Sequence, residues 1–232
     1  MSLKYKFYIT TSDKVMWTLK DCSKAFEHFC PNVEPIVLGY SRPPFDLPSN
    51  FKFVSMGADR GVEYWAEDLY NTFLAIEDDF FIWGLDDYEF QEPLDVEMIN
   101  KYCPRYIDED TNWFGLSEGP SKRGHEVIDD FLDFKVIKLK QNAEYRVTCQ
   151  VNIWNRKRLL HYLKIASTSS HRTEHAPGTP WHFEILCSHL AKNDGYEIYA
   201  FKDKIPAHYR GLNYTVQDEE IQPPRIRLKA NK

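Results

Sequence analysis

Phe80-Phe81-Ile82-Trp83-Gly84-Leu85-Asp86-Asp87-Tyr88 is the stretch on which the fold turns. Six apolar or small residues run without a break into two adjacent carboxylates. A run this short and this uniformly apolar reads as a strand buried on both faces, as in a parallel sheet. In open α/β sheets, ligands gather in the crevice outside the carboxyl ends of such strands. Asp86 and Asp87 are therefore expected at that lip, within reach of a divalent cation and a phosphate. Side chains alternate across a strand, so both acids address one ligand only if the chain turns there. One would then hold the cation and the other a ribose hydroxyl or a metal-bound water; the alternative is a plain acidic turn. Two further pairs, Asp78-Asp79 and Asp129-Asp130, do not follow a buried strand.

Upstream of this run, Val62, Trp65, Ala66, Leu69, Phe73 and Ile76 form one apolar stripe, predicting a helix opened by Gly57-Ala58-Asp59-Arg60-Gly61. Before it, Phe51 to Met56 and Pro35 to Tyr40 read as strands. Val15, Leu19, Cys22 and Phe26 mark a helix that stops before Pro31, and Lys4 to Thr10 supplies the first strand. The order β-α-β-β-α-β predicts an α/β fold with a mostly parallel central sheet and helices on both faces. Downstream, residues 91–145 read as loops, short helices and an edge hairpin near Val136 to Leu139. Tyr145 to Trp154 reads as a strand, Arg156 to Lys164 as a helix, and 166–179 as a mobile loop. Thr179-Pro180 is an N-cap followed by proline at the first helical position. It predicts a helix over Trp181 to Ala191, followed by a strand over Tyr196 to Phe201. No repeat or linker interrupts the chain, so residues 1–232 are expected to form one domain. Its nucleotide-binding half is residues 1–90, its acceptor-side half 91–215, and its basic tail 216–232.

Composition narrows the function. A net charge of −6 argues against binding a nucleic-acid backbone, which needs concentrated Lys and Arg. The basic run Arg225-Ile226-Arg227-Leu228-Lys229 is too short to overturn that. Five cysteines without a Cys-x-x-Cys pair fit neither a disulfide framework nor a zinc ribbon. The first residues enter a strand directly, no run is long enough to span a membrane, and a reducing, cytoplasmic setting is expected. The Asn213-Tyr214-Thr215 sequon would then go unmodified.

Three stretches carry a family resemblance: Trp65 through Asp87, Tyr145 through Trp154, and Thr179-Pro180-Trp181-His182-Phe183-Glu184. Together they resemble the GT-A class of nucleotide-sugar-dependent glycosyltransferases, in a small microbial or phage-type branch, with likeness scattered over residues 5–215. Asp86-Asp87 departs from the Asp-x-Asp spelling, Tyr88 standing in the third place, and fits the x-Asp-Asp variant. The resemblance implies a single GT-A-like domain and Mg²⁺ or Mn²⁺ on Asp87, with Asp86 as the nucleotide-side partner. Thr10, Thr11 and Ser12 would touch the nucleobase, or else cap the first helix. Gly39 and Tyr40 would flank base or ribose. Arg60 would meet a phosphate or the uracil edge, or remain a surface arginine.

Glu184, early in a helix whose dipole favours its ionised form, is the candidate general base of an inverting transfer, or simply an early-helix acid. His182 is the reserve. Trp181 would stack on an acceptor sugar or pack against the sheet. Gln150 and Asn152 would bind sugar or satisfy buried backbone, His208 is a candidate metal ligand, and Arg210 a diphosphate contact. The partners implied are a nucleotide-diphosphate sugar and a saccharide or lipid-linked saccharide acceptor, as in polysaccharide biosynthesis.

Two rivals come from other classes. A non-catalytic sugar- or nucleotide-binding module would keep the fold and lose the base. His171-Arg172-Thr173-Glu174-His175 matches the inverted zinc-protease pattern, which works only on a helix. Its flanks, Ser167-Thr168-Ser169-Ser170 and Ala176-Pro177-Gly178, are loop chemistry.

Overall fold

The structure is a computed structural model and describes residues 2–211 except residue 172. The sequon at Asn213 and the basic tail lie outside the described residues. The chain opens with β1 (Phe7–Thr10), α1 (Met16–Phe29), β2 (Pro35–Gly39), β3 (Lys52–Ser55), α2 (Trp65–Leu74) and β4 (Phe80–Leu85). This is the alternation that the hydrophobic periodicity predicts. These four strands pair in parallel in the order β3-β2-β1-β4. β4 has neighbours on both sides and layers on both faces, which is why its sequence is apolar throughout. Phe81 and Trp83 enter the core beneath α2, while Ile82 enters the opposite one.

Beyond β4 come β5 (Tyr88–Phe90), α3 (Val96–Tyr102), β6 (Thr111–Gly115), β7 (His125–Asp130) and β8 (Lys135–Leu139). They are followed by β9 (Asn152–Asn155), α4 (Arg156–Thr168), α5 (Pro180–Ala191), β10 (Glu197–Lys202) and β11 (Tyr209–Gly211). The nine-stranded sheet has the order β3-β2-β1-β4-β9-β6-β10-β8-β7. Seven of the nine strands point the same way, with β9 and β8 reversed. β5 and β11 form a separate antiparallel ribbon beside the end of β4.

Helices cover both faces. On one side α2, α4 and α5 bury Leu69, Phe73, Leu159, Leu163 and Phe183 against Tyr8, Phe81, Trp83 and Trp154. Phe73 stacks on Phe81 with ring centroids 4.9 Å apart. On the other side α1 and α3 bury Leu19, Phe26, Met98 and Ile99 against Phe7, Ile9 and Ile82. Burying each such side chain stabilises the fold by about 1.5–3 kcal/mol. All five cysteines are buried and free.

Three expectations need correction. Val62 is half exposed, so the apolar stripe begins at Trp65. The strand expected over Tyr145 to Trp154 exists only at Asn152–Asn155. The preceding 145–151 is apolar because it lies against α5, not because it pairs in the sheet. Its backbone finds partners on the helix: Val147 N donates to Ser188 Oγ (2.9 Å) and Cys149 N to Glu184 Oε1 (2.7 Å). The loop expected to be mobile is tied down: α4 extends to Thr168, and Gly178 O accepts from Ala66 N at the start of α2 (2.9 Å). A side chain at Gly178 would collide with the Glu63 carbonyl, which explains the glycine.

Candidate functional site

The chain turns between β4 and β5, and Asp86-Asp87 is that turn, so the two acids diverge. Asp86 faces α1. Its Oδ2 accepts from Thr11 Oγ1 and from Thr18 Oγ1, both at 2.6 Å, and its backbone N donates to Thr10 O (3.1 Å). Burial pushes its carboxyl up to about 7, the two hydroxyls oppose that rise, and the charge of Asp87 adds to it. Asp86 thus stitches the end of β4 to β1 and α1. The nucleotide-side role expected of Asp86 would fall to its other oxygen, since Oδ2 is held by two threonines. Thr10 is likewise turned inward and accepts from Trp83 Nε1 at 3.2 Å. Ser12 makes no capping bond to the turn that follows it.

Asp87 points the other way. Its Oδ1 is buried and has no hydrogen-bond partner among the described residues. Burial pushes its carboxyl up to about 6, and the negative charge of Glu184 adds to the rise. Glu184 reaches this corner from the second turn of α5. Thr179 caps that helix, its Oγ1 accepting from His182 N (3.3 Å), with Pro180 fixing the first turn. The irregular 145–151 stretch then holds Glu184 by one oxygen only. Oε1 accepts from Cys149 N (2.7 Å) and from Thr148 Oγ1 (3.0 Å), leaving Oε2 without a partner among the described residues.

The rest of the corner is polar and half-dry. Tyr88 and Tyr209, facing each other across the β5–β11 ribbon, have ring centroids 4.5 Å apart. Burial raises both phenols, and the charge of Asp87 raises them further. Tyr209 Oη accepts from Val151 N at 3.4 Å. Gln150 lies with its buried Oε1 against Gly119 and without a partner among the described residues; a Cβ at Gly119 would come within 2.2 Å of it. Arg123 acts electrostatically on both Glu184 and Tyr209 and enters the corner from the loop before β7. Nothing in the sequence singled it out, since it sits among Pro, Gly, Ser and Lys with no periodicity.

Other expected residues sit elsewhere. Tyr40 Oη donates to Asp68 Oδ2 (2.9 Å), and Arg60 pairs with the same Asp68 and with Glu67 while lying over the Tyr64 ring. That triad folds the loop after β3 onto α2. A cleft of about 480 Å³ beyond it, lined by Leu38, Met56, Asp68 and Asn71, is separate from Asp87. His182 is fully buried with both ring nitrogens occupied. Nδ1 accepts from Gly178 N (3.3 Å) and Nε2 donates to His171 O (2.9 Å). It therefore clamps the loop and has no nitrogen left to act as a reserve base.

Trp181 is half exposed and faces the His175 ring at 5.8 Å; it does not pack on the sheet. His208, the expected metal ligand, sits at the β5–β11 ribbon. The ribbon register sets Tyr209 opposite Phe90, which carries His208 to the far end, 3.8 Å from Glu92. Arg210 pairs with Glu89 across the same ribbon at 2.7 Å. His171, Thr173, Glu174 and His175 are not helical, so the two imidazoles do not share a helix face. No group of three His, Cys, Asp or Glu suited to a metal occurs among the described residues.

Neither a protein-family model nor a curated protein matches the chain. Solved structures resemble it in outline. The glycosyltransferase GlyE of Streptococcus pneumoniae TIGR4 aligns over 85% of this chain and 45% of its own, at 8% identity and a TM-score of 0.48. HddC from Yersinia pseudotuberculosis aligns over 90% and 93%, at 14% identity and a TM-score of 0.46. A CMP:2-keto-3-deoxy-manno-octonic acid synthetase complexed with CTP aligns over 85% and 88%, at 14% and 0.45. The chain spans less than half the length of GlyE. At these TM-scores the likeness carries no argument about chemistry, and the case rests on this chain's own residues. Among the described residues, no helix is long and apolar enough to cross a membrane.

Proposed function

We propose that this protein is a GT-A-class glycosyltransferase that moves a sugar from a nucleotide-diphosphate sugar to an acceptor hydroxyl, with inversion and with Mg²⁺ or Mn²⁺. The observation that supports this most is the convergence of Asp87 and Glu184. Two carboxylates from different elements are close enough for the charge of Glu184 to raise the Asp87 carboxyl, at the carboxyl end of β4, where α/β folds collect ligands.

An orphaned buried oxygen on Asp87 fits a hard cation. With no three-residue cluster nearby, the ion would be held by Asp87 and complete its shell with diphosphate oxygens and water, as Mg²⁺ commonly does. When bound, it supplies neutralisation of the charge developing on the departing diphosphate. Glu184 does the proton work. With Oε1 anchored, Oε2 accepts the proton of the acceptor hydroxyl while that oxygen bonds to the anomeric carbon. The sugar's bond to the diphosphate breaks, and its electron pair leaves with the diphosphate. Trp181, three residues before Glu184 and so on the same flank of α5, offers an exposed ring to the acceptor saccharide. A lipid-linked or polysaccharide acceptor and a cytoplasmic setting complete the reading.

Glu184→Gln tests it, because an amide oxygen can still accept from Cys149 and Thr148. Transfer is expected to fall about 10²–10⁴-fold with the affinity for nucleoside diphosphate unchanged. Transfer at the full rate would remove Glu184 from the mechanism.

A further inference from the structure

Resting on that reading, we propose that Arg123 receives an oxyanion of the acceptor, so that the preferred acceptor is an acidic saccharide. Arg123 follows the short turn Gly119–Lys122, and its backbone N is bonded to Pro120 O (3.1 Å). One guanidinium N–H donates to Tyr145 O, and the group lies 5.8 Å from the Tyr145 ring centroid. A guanidinium has five N–H donors, so most of its hydrogen-bonding capacity is unused. No carboxylate among the described residues lies within ion-pair distance of it, whereas Arg60 holds Asp68, Arg146 holds Asp194 and Arg210 holds Glu89.

The surroundings say which side of the site it serves. Its partner Tyr145 opens the 145–151 stretch, whose Thr148 and Cys149 hold Glu184, and the charges of Glu184 and Tyr209 reach the guanidinium. The guanidinium therefore belongs with the candidate base, on the acceptor side. Half-burial strips water from the guanidinium and lowers its pKa, yet an arginine stays charged. A desolvated cation with unused, fork-shaped donors is matched by a carboxylate or phosphate oxygen pair. A neutral acceptor would leave those donors unanswered, which is how polar sites reject analogues lacking the matching group. Gln150 and Tyr209 line the same corner and suit the sugar's hydroxyls.

The test titrates the protein, saturated with UDP and diamagnetic Mg²⁺, with glucuronic acid, glucose 6-phosphate and glucose, following the Arg123 side-chain N–H by NMR. Both acids are expected to bind at least ten-fold more tightly than glucose and to shift that resonance. In Arg123→Gln the acids should weaken at least ten-fold, while glucose and UDP·Mg²⁺ stay within two-fold. Arg123→Lys should recover part of the loss and controls for folding. Equal affinity for acids and glucose would overturn the proposal. So would a loss in Arg123→Gln that falls on UDP·Mg²⁺, which would assign the guanidinium to the donor diphosphate. Absence of UDP·Mg²⁺ binding in the wild type would sink the transferase reading instead. The acid-against-glucose comparison would then decide Arg123 on nucleotide-free protein.

Discussion

Asp86 and Asp87 are adjacent in sequence and opposite in circumstance. Two hydroxyls close around Asp86, while Asp87 keeps a buried oxygen that nothing among the described residues answers. The sequence made the pair visible because it follows a buried strand. It could not say which acid turns outward, since that depends on Thr18, a helix residue with no local link to position 86. His182 shows the same limit. Two residues from Glu184, it lies off that residue's helix face, and the structure makes it a fully buried clamp on the 169–179 loop. His182→Ala is therefore expected to destabilise the protein by about 2–4 kcal/mol, from two lost hydrogen bonds and a cavity. Urea unfolding measures this, and limited proteolysis should show new cleavage within 169–177. UDP binding by the folded fraction should be unaffected; a variant of normal stability would show the clamp to be ineffective.

At the scale of elements, the 145–151 stretch was misread because period and apolarity alone cannot tell a sheet partner from a helix partner. Val147 and Cys149 are buried against α5. Arg146, fully buried among them, donates to the carbonyls of Lys140, Ala191 and Tyr196. Arg146→Ala removes three hydrogen bonds to carbonyls and the ion pair with Asp194. It should cost about 3–5 kcal/mol, the range for breaking a buried charged network, measured as a fall in the denaturant midpoint. The β8–β10 pairing carries a pH-dependent tie. Lys138 and Tyr199 hold the Glu197 carboxyl below its ordinary range. A depressed carboxylate contributes stability above its unfolded pKa, about 4.3, and loses it as pH falls through the folded value. Glu197→Gln should thus destabilise at pH 7 and approach the wild type as the pH falls through the folded value. The pair is one-third exposed, so the effect should stay under about 1 kcal/mol and shrink in high salt. A deficit independent of pH would assign the role to packing.

Across the whole molecule, the first ninety residues were legible because strands and helices alternate at short range and each shows its own period. The second half was not. β6, five buried residues between β9 and β10, draws its partners from far along the chain. The reversal of β9 is likewise set by a connection rather than by its own four residues. Yet this half supplies Glu184 and Arg123, while the first supplies Asp87, so the candidate site exists only where the two are joined through β4 and β9. Metal removal is a test at this scale. A thermal shift induced by UDP with Mn²⁺ should vanish on adding a chelator and in Asp87→Asn, and return with Mg²⁺ in the wild type. The most direct measurement is anomalous diffraction from a crystal soaked with Mn²⁺ and UDP. The account predicts a manganese peak at coordination distance from the Asp87 carboxylate, shared with the diphosphate oxygens. A manganese–diphosphate pair bound elsewhere, with Asp87 bare, would contradict it.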